Sequence, residues 1–401
     1  MTNSTRNGRV LVAPSAFGGT LTAGEAAAAM AAGVLDAGER TRTTMTPSLL
    51  PVSDGGPGLV SLAVSAGFDP QLRTVSGPLG QRLEAAYAVG TLNGKRTAVV
   101  ELAQASGLHL LGRPPGPDTA MLATTKGTGD LLLAALDEGV QTIVLGLGGS
   151  ASTDGGVGLL GAIGVRFLDA DGQQLQPEGD ALDTVAGIDA TLLDPRLDDV
   201  ELVVAADVDS PLVGPKGAAQ VFGPQKGAGR AEIARLDARL QRLADVIYLR
   251  WGRDVATVPG GGAAGGTAAG VLGVLGARLV PGIDVALDLA GFDSALAGAD
   301  VVLTGEGRLD EQSLAGKAPV GVLRRAASAG VPVLVVAGQV TLSDIARARL
   351  RREGCTAVRA LTDLEPDARR AMRDAAALVR RATADLLASW RTEQLRKEAS
   401  P

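Results

Sequence analysis

Two glycine-rich stretches carry the first chemical signal in this chain. Gly146-Leu147-Gly148-Gly149-Ser150-Ala151-Ser152-Thr153-Asp154-Gly155-Gly156 follows an apolar, strand-like run and precedes the helical pattern 157–163. Small residues at a strand-to-helix turn let backbone N–H groups come close to an anion, and the helix N-terminus adds a favourable dipole. A phosphate cradle at Gly148, Gly149 and Ser150 is the chemistry this spacing allows. Tight packing alone also asks for glycine, and the chain has 55 of them. Pro259-Gly260-Gly261-Gly262-Ala263-Ala264-Gly265-Gly266, ahead of another helix, repeats the logic and brings in Gly265 and Gly266. Two such loops in one chain point to a nucleotide. Gly316-Lys317 is not a Walker A motif, because Ala318 stands where Ser or Thr is required and Glu311 where the leading glycine should be.

The charged candidates lie in three other loops. Asp207-Val208-Asp209-Ser210-Pro211 follows a strand, which puts two carboxylates on one side of an extended segment at a sheet's C-terminal edge. Such acids suit Mg²⁺ or the proton of a hydroxyl group; Asp and Ser ahead of a proline are equally ordinary turn chemistry. Lys226 sits between glycines in Phe222-Gly223-Pro224-Gln225-Lys226-Gly227-Ala228, and Thr304-Gly305-Glu306-Gly307-Arg308-Leu309-Asp310 gathers acids and an arginine after a strand. Lys226, Lys317 and Arg308 can neutralise phosphate or carboxylate oxygens, while Glu306 and Asp310 can hold a metal. Taken singly, each is also an ordinary solvated or salt-bridged charge. His109 is the sole histidine, so a two-histidine metal site is excluded, and its setting reads as surface or core edge.

The elements that must position these loops alternate. The run 9–13 ends at Pro14 and reads as a buried strand; Thr22 and Glu25 have capping-box spacing ahead of an Ala-rich helix. A second strand ends near Leu50 and a helix follows over 59–66. Three later strands are expected at 299–304, 332–337 and 357–361, separated by helical patterns. This βαβα rhythm implies a parallel sheet. Five strands split by a long insertion, itself carrying strands at 96–101, 142–146 and 201–206, predict an α/β fold: a flavodoxin-like doubly wound parallel sheet interrupted by a second, inserted α/β domain. The expected domains are 1–75 with 291–401, and 76–290. The C-terminal stretch 365–397 has amphipathic helical spacing.

Composition removes several classes of function. A net charge of -6 over 401 residues provides no broad positive field for nucleic acid or anionic membrane, and the few aromatics disfavour a stacking platform. The uncharged stretch 255–277 is long enough to span a bilayer, but Pro259 and its glycines break it, so a glycine loop and a buried helix are expected. One cysteine, Cys355, admits no internal disulfide, and neither end resembles an export signal; the expected location is cytoplasmic.

In order along the chain, Pro51-Val52-Ser53-Asp54-Gly55-Gly56, 146–156, 207–212, 222–228, 263–266 and 304–317 resemble the motifs of the bacterial-type glycerate kinase family, glycerate 2-kinases, over nearly the whole length. The resemblance implies a flavodoxin-like domain interrupted by a second α/β domain, and transfer of the ATP γ-phosphoryl group to a hydroxyl of D-glycerate, with the 2-position favoured. It implies Asp207 or Asp209 as acceptor of the hydroxyl proton, Lys226 and Lys317 on phosphates, Arg308 on the substrate carboxylate, Asp54, Gly55 and Gly56 at the substrate, and Asp207, Glu306 and Asp310 at Mg²⁺. The expected partners are ATP and a small hydroxy acid, with a homodimer admitted. Two motifs depart from the pattern. Ser15-Ala16-Phe17-Gly18 stands where the family has Asp-Ser-aromatic-Lys, and Pro57 replaces a glutamate. A relative acting on another hydroxy acid and a ligand-binding protein without turnover are the alternatives.

Overall fold

The structure, a computed structural model, describes residues 8–52, 58–176, 182–311, 313–315 and 318–399. Its strands are β1 Gly8–Val12, β2 Met45–Leu49, β3 Asp69–Ser76, β4 Arg82–Leu92, β5 Lys95–Glu101, β6 Thr142–Gly146, β7 Arg166–Leu168, β8 Gln174–Leu175, β9 Gly187–Asp189, β10 Glu201–Ala205, β11 Arg278–Val280, β12 Val301–Leu309, β13 Val333–Val340 and β14 Cys355–Ala360. The contacts divide the chain into two compact units, Met1–Asp54 with Ala286–Pro401, and Gly55–Val285.

In the first unit the strands run β14-β13-β12-β1-β2, all parallel. Counted within the unit, that is the flavodoxin order 2-1-3-4-5. The sequence explains why these strands are central. Residues 10–12, 301–303 and 333–337 are Val, Leu and Ala and are buried, as a parallel sheet covered by helices on both faces requires. The helix Ala23–Thr41 starts on the expected capping box: Glu25 N–H donates to Thr22 Oγ1 at 3.2 Å, and Thr22 N–H to Glu25 Oε2 at 2.8 Å. It packs against the C-terminal helix Ala375–Ala399. The amphipathic stretch read as one closing helix is two, since Ala368–Arg373 ends at Asp374 before that helix begins.

The second unit is built on a six-stranded sheet, β11-β10-β6-β5-β4-β3. The members β11, β10, β6 and β5 are parallel, whereas β5-β4-β3 is an antiparallel meander. This meander explains where the units divide. Because β3 pairs along its whole length with β4, residues 59–75 group with the second unit and not with the first, where sequence reasoning placed them. A small antiparallel sheet, β8-β7-β9, completes the unit. The uncharged stretch forms a glycine loop and the buried helix Ala263–Leu275. Among the described residues no helix is long and apolar enough to cross a membrane.

Candidate active site

At the C-terminal end of β6 the chain leaves the sheet as the glycine loop and enters the helix Val157–Ala162. Leu147 N–H and Ala151 N–H are tied to the carbonyls of Ala205 and Ser106, at 3.1 and 2.9 Å. Between them, the N–H groups of Gly148, Gly149 and Ser150 have no protein acceptor among the described residues. Three consecutive donors held open by bonded neighbours form the concavity in which backbone amides take an anion. Gly149 sits at φ 70, a left-handed conformation that favours glycine.

Asp154 braces this loop from inside. Its Oδ2 accepts from Thr125 N–H at 2.8 Å, Thr125 Oγ1 at 2.7 Å and Gly158 N–H at 3.2 Å, and its Oδ1 accepts from Gly156 N–H at 3.1 Å. The second glycine loop locks onto the first. Gly155 N–H donates to the Gly265 carbonyl at 3.0 Å, and a Cβ on Gly265 would overlap the Ser152 carbonyl and lie 2.6 Å from Thr153 Cα. Ala264, Gly265 and Gly266 are consecutive left-handed residues, at φ 52, 65 and 89.

Two charged groups complete the wall. Asp207 follows β10, and its Oδ1 accepts the N–H of Gly282 at 2.8 Å. Lys226 ends the short helix Pro224–Lys226, which closes on Gly227 at φ 94. Its Nζ donates to Ser150 Oγ at 2.8 Å and to the Ser152 carbonyl, and the side chain is only 2% exposed. Burial drives its amine down to about 7, opposed by the charge of Asp154.

Gly148, Gly149, Ser150, Asp207, Lys226 and Gly265 therefore line one cavity of about 350 Å³ within the second unit. Two expected members fall outside its lining. Asp209 is exposed beyond it, and the left-handed turn through Gly265 and Gly266 sets Gly266 against Leu212 and Leu240. In the first unit, Glu306 and Arg308 lie on β12 and Asp310 just past it. Glu306 is 6% exposed, while Arg308 is exposed with its Nε 3.4 Å from Asp310 Oδ2. Asp54, Gly55, Gly56 and Lys317 lie outside the described residues. The departure at 15–18 is filled by packing: Ser15 Oγ donates to the Gly305 carbonyl at 3.2 Å and Phe17 is buried.

A cavity of about 380 Å³ also opens beside Gly8, Met45 and Val301. Those are strand N-termini, the end at which open α/β sheets do not bind ligands. Among the described residues no three Asp, Glu, His or Cys side chains cluster as a metal cage. Mg²⁺ needs none, since it usually takes one or two carboxylates together with phosphate oxygens and water, a donor set that Asp207 beside the amide cradle suits. Sequence reasoning missed the roles of Asp154 and of Glu101, whose buried carboxylate ends β5 and accepts from Gly58 N–H at 2.6 Å and Val60 N–H at 3.0 Å. The Asp-Gly-Gly turn was the only signal for Asp154, and none marked Glu101.

The sequence matches the glycerate kinase family over residues 10–391. A glycerate kinase of Halalkalibacterium halodurans is 45% identical over 332 residues, 82% of this chain and 85% of the relative. The glycerate 2-kinase of Escherichia coli is 39% identical over 334 residues, 83% of this chain and 86% of the relative. A solved structure described as a glycerate kinase 2 from Salmonella typhimurium LT2 matches with a TM-score of 0.76 and 37% identity, covering 97% of this chain and 100% of that one. With these likenesses running through both units, the chain belongs to the glycerate kinase family, a family of kinases.

Proposed function

We propose that this chain transfers the γ-phosphoryl group of Mg·ATP to the 2-hydroxyl of D-glycerate. The observation that carries this reading is the cavity in which open backbone amides of Gly148, Gly149 and Ser150 face the same space as the Asp207 carboxylate. Phosphoryl transfer asks a protein mainly for positioning and charge stabilisation, and amide donors beside an acid supply both. In this reading the amides and the Gly265 loop hold phosphate oxygens. Asp207 accepts the hydroxyl proton or holds the Mg²⁺ that would neutralise the phosphates. Lys226 supplies positive charge beneath the loop. For Arg308 the proposed role is the substrate carboxylate, for Glu306 and Asp310 the metal, for Asp54, Gly55 and Gly56 the substrate, and for Lys317 a phosphate. The proposed folding units are those the contacts define.

Release of ADP, followed with purified protein, Mg·ATP and a panel of hydroxy acids, tests the proposal. D-glycerate should be turned over and yield 2-phosphoglycerate by phosphorus NMR. Turnover of a different acid alone would replace the acceptor, a reading favoured by the uncharged Ser15-Ala16-Phe17-Gly18 at the end of β1. ATP binding without any turnover would leave a ligand-binding protein.

A further inference from the structure

The contact between Ser150 and Lys226 holds more than a loop brace needs. A serine becomes a nucleophile when a base lies within about 2.6–3.2 Å of its hydroxyl and a third group orients that base. Lys226 Nζ is 2.8 Å from Ser150 Oγ, and the Ser152 carbonyl fixes the amine from the other side. As an ammonium, Lys226 donates to both oxygens. As a neutral amine it keeps its N–H on the Ser152 carbonyl and turns its lone pair to the serine, so the same contact then runs from hydroxyl to amine. Both side chains also line the cavity, beside the open amides of Gly148, Gly149 and Ser150, which can donate to the oxygens of a phosphoryl group.

We propose that Ser150 and Lys226 form a nucleophile–base pair through which the loop accepts a phosphoryl group from a phosphoanhydride onto Ser150 Oγ. The Ser150 hydroxyl proton passes to the Lys226 amine as the Oγ–P bond forms. The bond from phosphorus to the leaving oxygen breaks with its electron pair, releasing the nucleoside diphosphate. No oxidant or further reactant is required. Lys226 is suited to the role because burial brings its amine to about 7, so the free base is populated near neutrality. Among the described residues, the charge acting on it is that of Asp154 in the loop, which favours the ammonium, and Asp207 lines the same cavity. The proposal rests on the kinase reading only for the identity of the phosphoryl donor.

The test uses the full chain with two probes, diisopropyl fluorophosphate and Mg·ATP, followed by peptide mapping with mass spectrometry. Both should modify Ser150, and the fluorophosphate rate should rise about tenfold between pH 6 and 8 as the amine loses its proton. Ser150→Ala should abolish the adduct, and Lys226→Met, with its fold checked by circular dichroism, should slow it at least about tenfold. An unmodified Ser150 with both probes overturns the proposal, as does a Lys226→Met protein that labels at the native rate or a native rate that is flat with pH. Modification by the fluorophosphate and not by ATP removes the phosphoanhydride and overturns the proposal as stated. Fluorophosphate labelling needs neither nucleotide nor glycerate. A labelled protein that turns over no glycerate therefore sinks the kinase reading alone, and an active kinase with unlabelled Ser150 sinks this one alone.

Discussion

Ala264 holds a strained backbone conformation at the candidate site. Its φ of 52 and ψ of 43 are left-handed, which costs a non-glycine residue about 1–2 kcal/mol, and it lines the cavity of the candidate site, where such strain tends to be kept for function. Ala264→Gly should stabilise the protein by about 0.5–1 kcal/mol, once the greater freedom of glycine in the unfolded chain is set against the relieved strain. Urea denaturation checks this, and a destabilised variant would show that the methyl group matters more than the backbone. Asp207 leads to a functional prediction. Asparagine keeps an oxygen for the Gly282 N–H, so Asp207→Asn should leave the circular dichroism unchanged while lowering kcat on glycerate by about 10²-fold or more, the usual contribution of a positioned base. A kcat within tenfold of the native value takes Asp207 out of the chemistry. Gly149, Asp207 and Lys226 were singled out in the sequence by residue type, and the fold brings them to one cavity. Asp154 was not, because its meaning depends on Thr125, which lies 29 residues away and reaches it only in the folded chain.

Between elements, the helix Ala23–Thr41 and the helix Ala375–Ala399 approach closely in the first unit. Gly33 makes it possible: a Cβ there would overlap the Arg380 carbonyl and sit 2.7 Å from Thr383 Cβ. Arg380 meets Asp36 through two hydrogen bonds of 2.7 Å across the same interface, but its side chain is 55% exposed, so that pair contributes little. Backbone proximity is the stronger term. Gly33→Ala should therefore cost about 1–3 kcal/mol of stability despite the better helix propensity of alanine, as overpacking does, and a thermal melt reads it directly. A neutral result would mean the helices separate freely at that point. The contrast in packing also explains which elements could be read in advance. Strands β1, β12 and β13 announce themselves as apolar runs because both faces are covered. The edge strand β3 exposes Asp69, Pro70, Leu72, Arg73 and Thr74 and fully buries Val75 alone, so it has no apolar run, and only its pairing with β4 defines it. Missing that pairing displaced the first domain boundary.

For the molecule as a whole, two groups in the second unit make stability depend on pH in different ranges. Arg239, 3% exposed, holds the Asp183 carboxylate at 2.6 and 2.7 Å, and this pairing, with Arg235, drives the acid well below its ordinary value. That contribution is present above about pH 4 and is lost as the pH falls below it. Lys226 acts in the opposite range. Its amine is near 7 in the folded chain and 10.5 when unfolded, so between these values the unfolded chain binds the extra proton and stability rises with pH. Below about pH 7 the cost of the buried ammonium is present in full. Lys226→Met removes this titration, and also removes the hydrogen bonds to Ser150 and the Ser152 carbonyl, so the stability difference at any single pH mixes the two effects. The slope separates them, because lost neutral contacts are independent of pH. The native protein should therefore gain stability relative to Lys226→Met as the pH goes from about 7 to 9, measured as the difference between their urea unfolding free energies. A difference that stays constant across that range would mean the amine does not lose its proton near neutrality, and the pairing with Ser150 would then have no base.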